Sequence, residues 1–208
     1  REGSALEDFL HPDRIVIGEY DKRSGDVLTK IYRSFNAPIL RTGLRAAEMI
    51  KYASNAFLAT KISFINDIGN YCKRLGIDTY TVADGIGYDR RIGHAFLNSG
   101  IGFGGSCLPK DATALAKASR KIGSRSYVIE SALKVNNEQP LRIVKILEKK
   151  VGKIKGRRIA LLGLSFKPDT DDVRSAPSIK IIKVLLEKGA TVVVYDPNAM
   201  GNMKRTFY

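Results

Sequence analysis

The sequence has few of the residues that usually announce a function. It holds two cysteines, two histidines and no tryptophan. Cys72 and Cys107 make no disulfide framework and lack metal-ligand spacing. They point to a reduced, intracellular setting. With only His11 and His94, a histidine-based metal site is not expected. No apolar run approaches the roughly 18 residues needed to span a bilayer. No secretory pattern opens the chain, which begins Arg1-Glu2-Gly3-Ser4. Internal repeats and low-complexity stretches are missing too. Both ends read as cut, so the sequence is expected to be part of something larger.

What is present in excess is positive charge, a net +14 over 208 residues. Such a balance favours nucleic acid, anionic lipid or phosphorylated ligands. The lysines and arginines are nevertheless spread along helices and loops, without a dense cluster or interleaved aromatics. Nucleic acid and membrane are therefore not expected partners, whereas a phosphate-bearing small molecule needs only a few of these charges. Binding to nucleic acid would be steeply salt-dependent, which an electrophoretic shift at two salt levels would expose. Apolar residues make up 44% of the chain, enough for a buried core and one to two domains.

Arg14 to Gly18 reads as a strand, and Asp26 to Phe35 as a helix of about three turns. From Leu44 to Leu75 there is no proline and only one glycine, Gly69. Ile50, Ala53, Phe57, Phe64, Ile68, Cys72 and Leu75 fall at helical spacing and predict one apolar face. Such a helix would be about 48 Å long and suits a subunit or domain interface. Gly76 stands where a left-handed cap ends it. Thr79 to Gly85 predicts a short helix, Asn98 to Cys107 a glycine-rich loop, and Lys110 to Ile122 another helix. Ser126 to Lys150 has helical periodicity broken near Pro140. After Val151 the character changes. Arg158 to Gly163 predicts a buried parallel strand. Ser175 and Pro177 signal a helix start, Gly189 its end, and Thr191 to Tyr195 a second strand. The fold class these elements predict is α/β: a long-helix domain suited to an interface, then a partial Rossmann-like, doubly wound domain.

The strongest local feature is the run from Gly102 through Cys107 to Asp111. Glycines before the cysteine let backbone approach a ligand closely. Pro109 fits the first turn of a helix, which puts Cys107 at its N-terminus. The helix dipole and Lys110 there favour a thiolate, the competent nucleophile. Asp111, one turn in, could orient water or a proton. Cys72 lies on the helical stripe and reads as core. Lys51 and Asn55 share a helix face and could hold an oxyanion. The turn after the strand at Ala160 lacks G-x-G-x-x-G, and Asp196 follows Gly163 by 33 positions rather than the roughly 20 of the dinucleotide fingerprint. Lys167 and Arg174 in that turn suit phosphate, though they read equally well as solvated loop charges.

Gly102 to Asp111 resembles the catalytic-cysteine motif of the UDP-glucose/GDP-mannose dehydrogenase family, in particular its UDP-glucose 6-dehydrogenases. Asn55 to Asn66 is similar to the family's central helix, and Gly163 to Arg174 to the opening of its C-terminal nucleotide-binding domain. Arg1 to Ala5 resembles the end of its P-E-F-L-x-E-G motif. The resemblance runs in order from Arg1 to about Asn198.

It implies NAD-dependent, two-step oxidation of UDP-glucose to UDP-glucuronate through a Cys107 thiohemiacetal and thioester. Lys51 and Asn55 would steady the oxyanions, and Asp111 would deploy the water. Glu2, Lys110 and Arg174 match NAD contacts. Phe96, Leu97, Asn98, Ser99, Gly100, Gly104 and Lys167, with Lys51, match substrate contacts. Arg91 matches an arginine that reaches a neighbouring subunit's substrate, and the Leu44–Leu75 helix matches a homodimer core. The implied division is residues 1–38 as the tail of an N-terminal NAD-binding domain, 39–150 as a central helical dimerisation and catalytic domain, and 151–208 as part of a C-terminal UDP-binding, Rossmann-like domain. A cytoplasmic enzyme is implied, with the 208 residues alone inactive. GDP-mannose or another nucleotide sugar is the alternative substrate. A non-catalytic helical dimerisation module is the rival class, which the cysteine loop argues against.

Overall fold

The computed structural model describes residues 5–207. Two compact units divide between Ser54 and Asn55. The first contains helix α1 (Ala5–Leu10), strand β1 (Ile15–Glu19), helix α2 (Lys22–Tyr32), a 3-10 turn at Arg33–Phe35, strand β2 (Ile39–Gly43) and the opening turns of helix α3 (Leu44–Leu75). β1 and β2 pair in parallel, Ile15 opposite Ile39 and Glu19 opposite Gly43.

α2 begins at Lys22, four residues before the periodicity suggests, because Asp21 caps it. Its carboxylate accepts the Ser24 N–H at 2.7 Å, while the Ser24 hydroxyl accepts the Asp21 N–H at 3.1 Å. This reciprocal cap satisfies donors that the helix cannot. β2 was not legible in the sequence; its Arg41 binds Glu19, Asp26 and the Lys22 carbonyl. A Cβ at Gly25 would lie 1.7 Å from a Glu19 carboxylate oxygen, so glycine is what lets α2 sit against that cluster.

α3 covers the expected 32 residues, and Gly76 closes it with φ +70. The apolar face expected for it is only partly right. Cys72 is buried, but Phe57 is 65% and Phe64 53% exposed, and Leu75 is exposed too. The buried face is built of small and polar residues: Ala56, Ala59, Ser63, Asn66 and Gly69, with Ile65. Small side chains let neighbouring helices approach closely, so size rather than apolarity marks the packed side.

The second unit continues from Asn55 with the rest of α3. It then has α4 (Thr79–Gly87), α5 (Leu108–Lys121), α6 (Tyr127–Val151), β3 (Arg158–Leu162), α7 (Pro177–Glu187), β4 (Thr191–Tyr195) and α8 (Met200–Phe207). α6 runs unbroken through Pro140, contrary to expectation. Proline removes the N–H that would bind the Asn136 carbonyl. Packing keeps the helix together: Pro140 is buried, and Lys180 of α7 donates to the Asn137 carbonyl at 2.5 Å. Val144, Ile181 and Leu185 fill the α6–α7 seam. Ala176 holds the N-cap position of α7 without a side-chain cap, and Ser175 before it adopts φ +52.

β3 and β4 are parallel, Arg158 opposite Thr191 and Leu162 opposite Tyr195, with α7 as the crossover. One face packs on a core of Leu164, Val173, Ala176, Ile182, Ala199 and Met203. The other face is open, with Leu162 76% exposed. The buried strand expected from the apolar run is therefore half-buried, because among the described residues only one face of the pair is covered.

Candidate functional site

Cys107 is exposed and occupies the N-cap of α5, with Pro109 in the first turn. Its carbonyl accepts the Asp111 N–H at 2.9 Å, which opens the helix directly at the cysteine. Ser106 Oγ lies 3.6 Å from the sulfur. Asp111 is fully buried, and its carboxylate accepts Asn55 Nδ2 of α3 at 2.6 Å. Lys110 Nζ stands 3.5 Å from the other carboxylate oxygen. The fold thus gathers an exposed thiol, a carboxamide, a buried carboxylate and an ammonium around one helix N-terminus.

The glycine loop before Cys107 is irregular, yet its backbone is not left unpaired. Asn136 of α6 accepts the Phe103 N–H at 2.7 Å and donates to the Phe103 carbonyl at 3.0 Å. Asn66 of α3 accepts the Gly100 N–H at 2.7 Å, and Gln139 of α6 donates to the Gly100 carbonyl at 3.0 Å. Carboxamides do here what a neighbouring strand would do in a sheet. Asn66, Asn136 and Gln139 escaped sequence reasoning, because carboxamides on a helix give no periodic signal. Asn66 is fully buried, and its Nδ2 has no hydrogen-bond partner among the described residues.

The loop between β3 and α7 seats the other side of the glycine run. The Gly105 N–H donates to the Arg174 carbonyl at 2.8 Å. A Cβ at Gly104 would lie 2.5 Å from the Ser175 carbonyl oxygen, and one at Gly105 would lie 2.8 Å from the Phe166 ring. Asp172 chelates the Arg174 guanidinium, which holds its carboxyl below the usual range. Asp196 of the β4 end binds the N–H groups of Leu164, Ser165, Asn198 and Ala199. Burial alone would push its carboxyl up, but those four amides together outweigh burial and hold it well below the usual range. Asp196 thus fixes the turn after β3.

Residues 45–138 match the central domain of the UDP-glucose/GDP-mannose dehydrogenase family, residues 160–208 its UDP binding domain, and residues 1–36 its NAD binding domain. The chain belongs to this family. It is 51% identical over 200 residues to the UDP-glucose 6-dehydrogenase TuaD of Bacillus subtilis, a match over 96% of this chain and 43% of that protein. It is 47% identical to the UDP-glucose 6-dehydrogenase AglM of Haloferax volcanii, over 100% of this chain and 49% of that protein. The solved UDP-glucose dehydrogenase of Pyrobaculum islandicum superposes with a TM-score of 0.98 at 47% identity, covering 100% of this chain and 48% of that one. The UDP-D-ManNAc dehydrogenase of Pyrococcus horikoshii gives 0.83 at 28% identity, covering 94% of this chain and 47% of that one. The chain spans about half the length of the relatives it matches.

The residues that carry the family resemblance are only partly gathered. In the second unit Asn55 and Lys110 both meet the Asp111 carboxylate, and Cys107 stands one turn before Asp111. Gly104 is buried against the β3–α7 loop, where Lys167 Nζ lies 6.0 Å from the Phe166 ring centre. Phe96 has φ +64, Leu97 is buried, and Asn98, Ser99 and Gly100 lead into the carboxamide-held loop. Arg91 is paired with Asp89 on an exposed turn. Among the described residues, no hydrogen bond or ion pair is seen between Arg91 and the Cys107 cluster. Lys51 belongs to the first unit's part of α3, its ammonium 4.9 Å from the Tyr52 ring centre. Glu2 lies outside the described residues. No group of three or more metal-binding side chains is found among the described residues. No helix there is long and apolar enough to cross a membrane.

Proposed function

We propose that these residues carry the cysteine and substrate-binding part of an NAD-dependent UDP-glucose 6-dehydrogenase, with Cys107 as the covalent nucleophile. One observation carries the reading: an exposed thiol at a helix N-cap, one turn from a buried Asp111 that is hydrogen-bonded to Asn55. Packing alone has no use for an exposed cysteine in a glycine loop. The names of the TuaD and AglM relatives support UDP-glucose as the substrate.

In this reading the Cys107 thiolate attacks C6 of the sugar once it is an aldehyde. A carbon–sulfur bond forms, and the carbonyl π pair moves onto oxygen. Asn55 and Lys51 stabilise that oxyanion, which takes a proton to give the thiohemiacetal. NAD, when bound, supplies the hydride acceptor for both oxidations, alcohol to aldehyde and thiohemiacetal to thioester. Water then attacks the thioester carbon and loses a proton to solvent, the carbon–sulfur bond breaks, and Cys107 leaves as thiolate. Asp111 orients that water. The basic groups Arg174 and Lys110 fit the pyrophosphate of a dinucleotide. The amides of Leu164 and Ser165 do not, because Asp196 already takes them.

The domain division at 38/39 and 150/151, a cytoplasmic setting, and inactivity of the 208 residues alone belong to the same proposal. So does a homodimer through α3, supported by the exposed residues Phe57, Phe64 and Tyr71 at seven-residue spacing. The test is alkylation of the chain with iodoacetamide, followed residue by residue by mass spectrometry. Cys107 is expected to react and buried Cys72 to resist. UDP-glucose is expected to slow Cys107 several-fold, and GDP-mannose not to. Equal rates with and without UDP-glucose would overturn the proposal.

A further inference from the structure

Three Asp-x-Arg triplets occur in the sequence, ending at Arg23, Arg91 and Arg174. In two of them the arginine folds back on its own aspartate in the same way. Asp89 Oδ1 accepts the Arg91 backbone N–H at 2.9 Å and Nε at 3.0 Å, and Oδ2 accepts Nη2 at 2.6 Å. Asp172 Oδ1 accepts the Arg174 backbone N–H at 2.8 Å and Nε at 3.0 Å, and Oδ2 accepts Nη2 at 2.6 Å. In the third triplet the device is not used: Asp21 spends its carboxylate on the Ser24 N–H that caps α2.

Stability does not account for the repeat. The Arg91 and Arg174 side chains are 89% and 58% exposed, and exposed ion pairs contribute little to folding. What the clamp does is fix a long side chain. The backbone amide and two guanidinium nitrogens on one carboxylate set the plane of the guanidinium before any ligand arrives. Rotamer freedom that an arginine would lose on binding is then already lost. At Arg174 the clamp is also registered to the cysteine loop. Asp172 is 8% exposed, its N–H donates to Thr170 Oγ at 3.2 Å, its carbonyl accepts the Phe166 N–H at 3.1 Å, and the Arg174 carbonyl accepts the Gly105 N–H at 2.8 Å.

We propose that Asp172 is a positioning residue that presets the Arg174 guanidinium for a phosphate-bearing ligand at the carboxyl end of β3, in register with the cysteine loop, and that Asp89 does the same for Arg91. This rests on the reading of the chain as a nucleotide-sugar dehydrogenase, in which both arginines meet anionic ligands.

The two roles an aspartate could have beside an arginine predict opposite signs. If Asp172 only neutralises Arg174, Asp172→Asn removes a competing negative charge and anions bind more tightly. If it orients Arg174, the same variant binds anions more weakly despite one more net positive charge. The experiment follows the Arg174 Nε–Hε resonance of the 15N-labelled chain by NMR while inorganic pyrophosphate is titrated. Wild type is expected to shift and saturate. Asp172→Asn is expected to raise the dissociation constant about tenfold, and Asp172→Glu to recover part of it. Equal or tighter binding by Asp172→Asn, or no shift of Arg174 in wild type, would overturn the proposal. Unchanged β4 and α8 amide resonances check that the variant is folded. If it is not, Asp89→Asn supplies the same comparison at Arg91, on an exposed turn. Pyrophosphate binding does not depend on UDP-glucose protecting Cys107, so the failure of one reading is distinguishable from the failure of the other.

Discussion

Replacing Asn136 by alanine tests how the glycine loop is held. Asn136 supplies both hydrogen bonds to the backbone of Phe103, at 2.7 and 3.0 Å, and Phe103 is buried. Alanine cannot reach either group, so an N–H and a carbonyl lose their partners inside the unit. Each buried group left unpaired costs about 1–3 kcal/mol. Partial access of water to the loop lowers the sum, giving an expected loss of about 2–4 kcal/mol. For a unit of this size that corresponds to roughly 5–15 °C in Tm. Urea unfolding gives the free energy, and amide exchange at Phe103 shows whether the loss is local. Asn136→Asp should fall between, because it keeps the acceptor for the N–H but sets an oxygen against the Phe103 carbonyl. A loss below about 0.5 kcal/mol, the scatter of an ordinary surface substitution, would refute the view that carboxamides stand in for a strand here. So would unchanged exchange at Phe103.

Gly104→Ala should destabilise the chain and alter Cys107 alkylation, because its Cβ would meet the Ser175 carbonyl at 2.5 Å; a variant with wild-type melting and alkylation would contradict the close seating of the two loops. Asp196 is held below the usual carboxylate range, so its stabilisation is present above the unfolded value of about 3.9 and is lost as pH falls below it. The stability gap between wild type and Asp196→Asn, from urea melts, should therefore be constant from pH 7 to 5 and shrink below about 4; an equal gap at pH 3 would sink the argument. Phe64→Glu puts a charge in the exposed stripe of α3 and should shift a dimer to monomer in sedimentation; an unchanged mass would remove the stripe from the interface.

Much of the fold was legible because it is written in long-range patterns. α3 announced itself by 32 residues without proline, and the β3–α7–β4 crossover by two apolar runs around a proline-started helix. β2 was missed because five residues centred on Arg41 carry no strand periodicity, and only their pairing with β1 makes them one. The proline in α6 misled because tertiary packing decides whether a helix survives it. The face of α3 misled for a related reason: apart from Ile65 and Cys72, its packed side is made of alanine, serine, asparagine and glycine, which hydrophobicity does not rank. At the site, Cys107 and Asp111 were visible through glycine, proline and helix-start chemistry. The partners that hold their loop come from sequence positions more than 30 residues away, so no local spacing could reveal them.

The most direct test of the central claim offers the chain the C6 aldehyde of UDP-glucose, labelled with 13C at C6, with no NAD present. If Cys107 is the covalent nucleophile, the labelled carbon becomes tetrahedral and sulfur-bound in the NMR spectrum. That signal is lost in Cys107→Ala and retained in Cys72→Ala. No adduct in the wild-type chain, or an equal adduct in Cys107→Ala, would contradict the account.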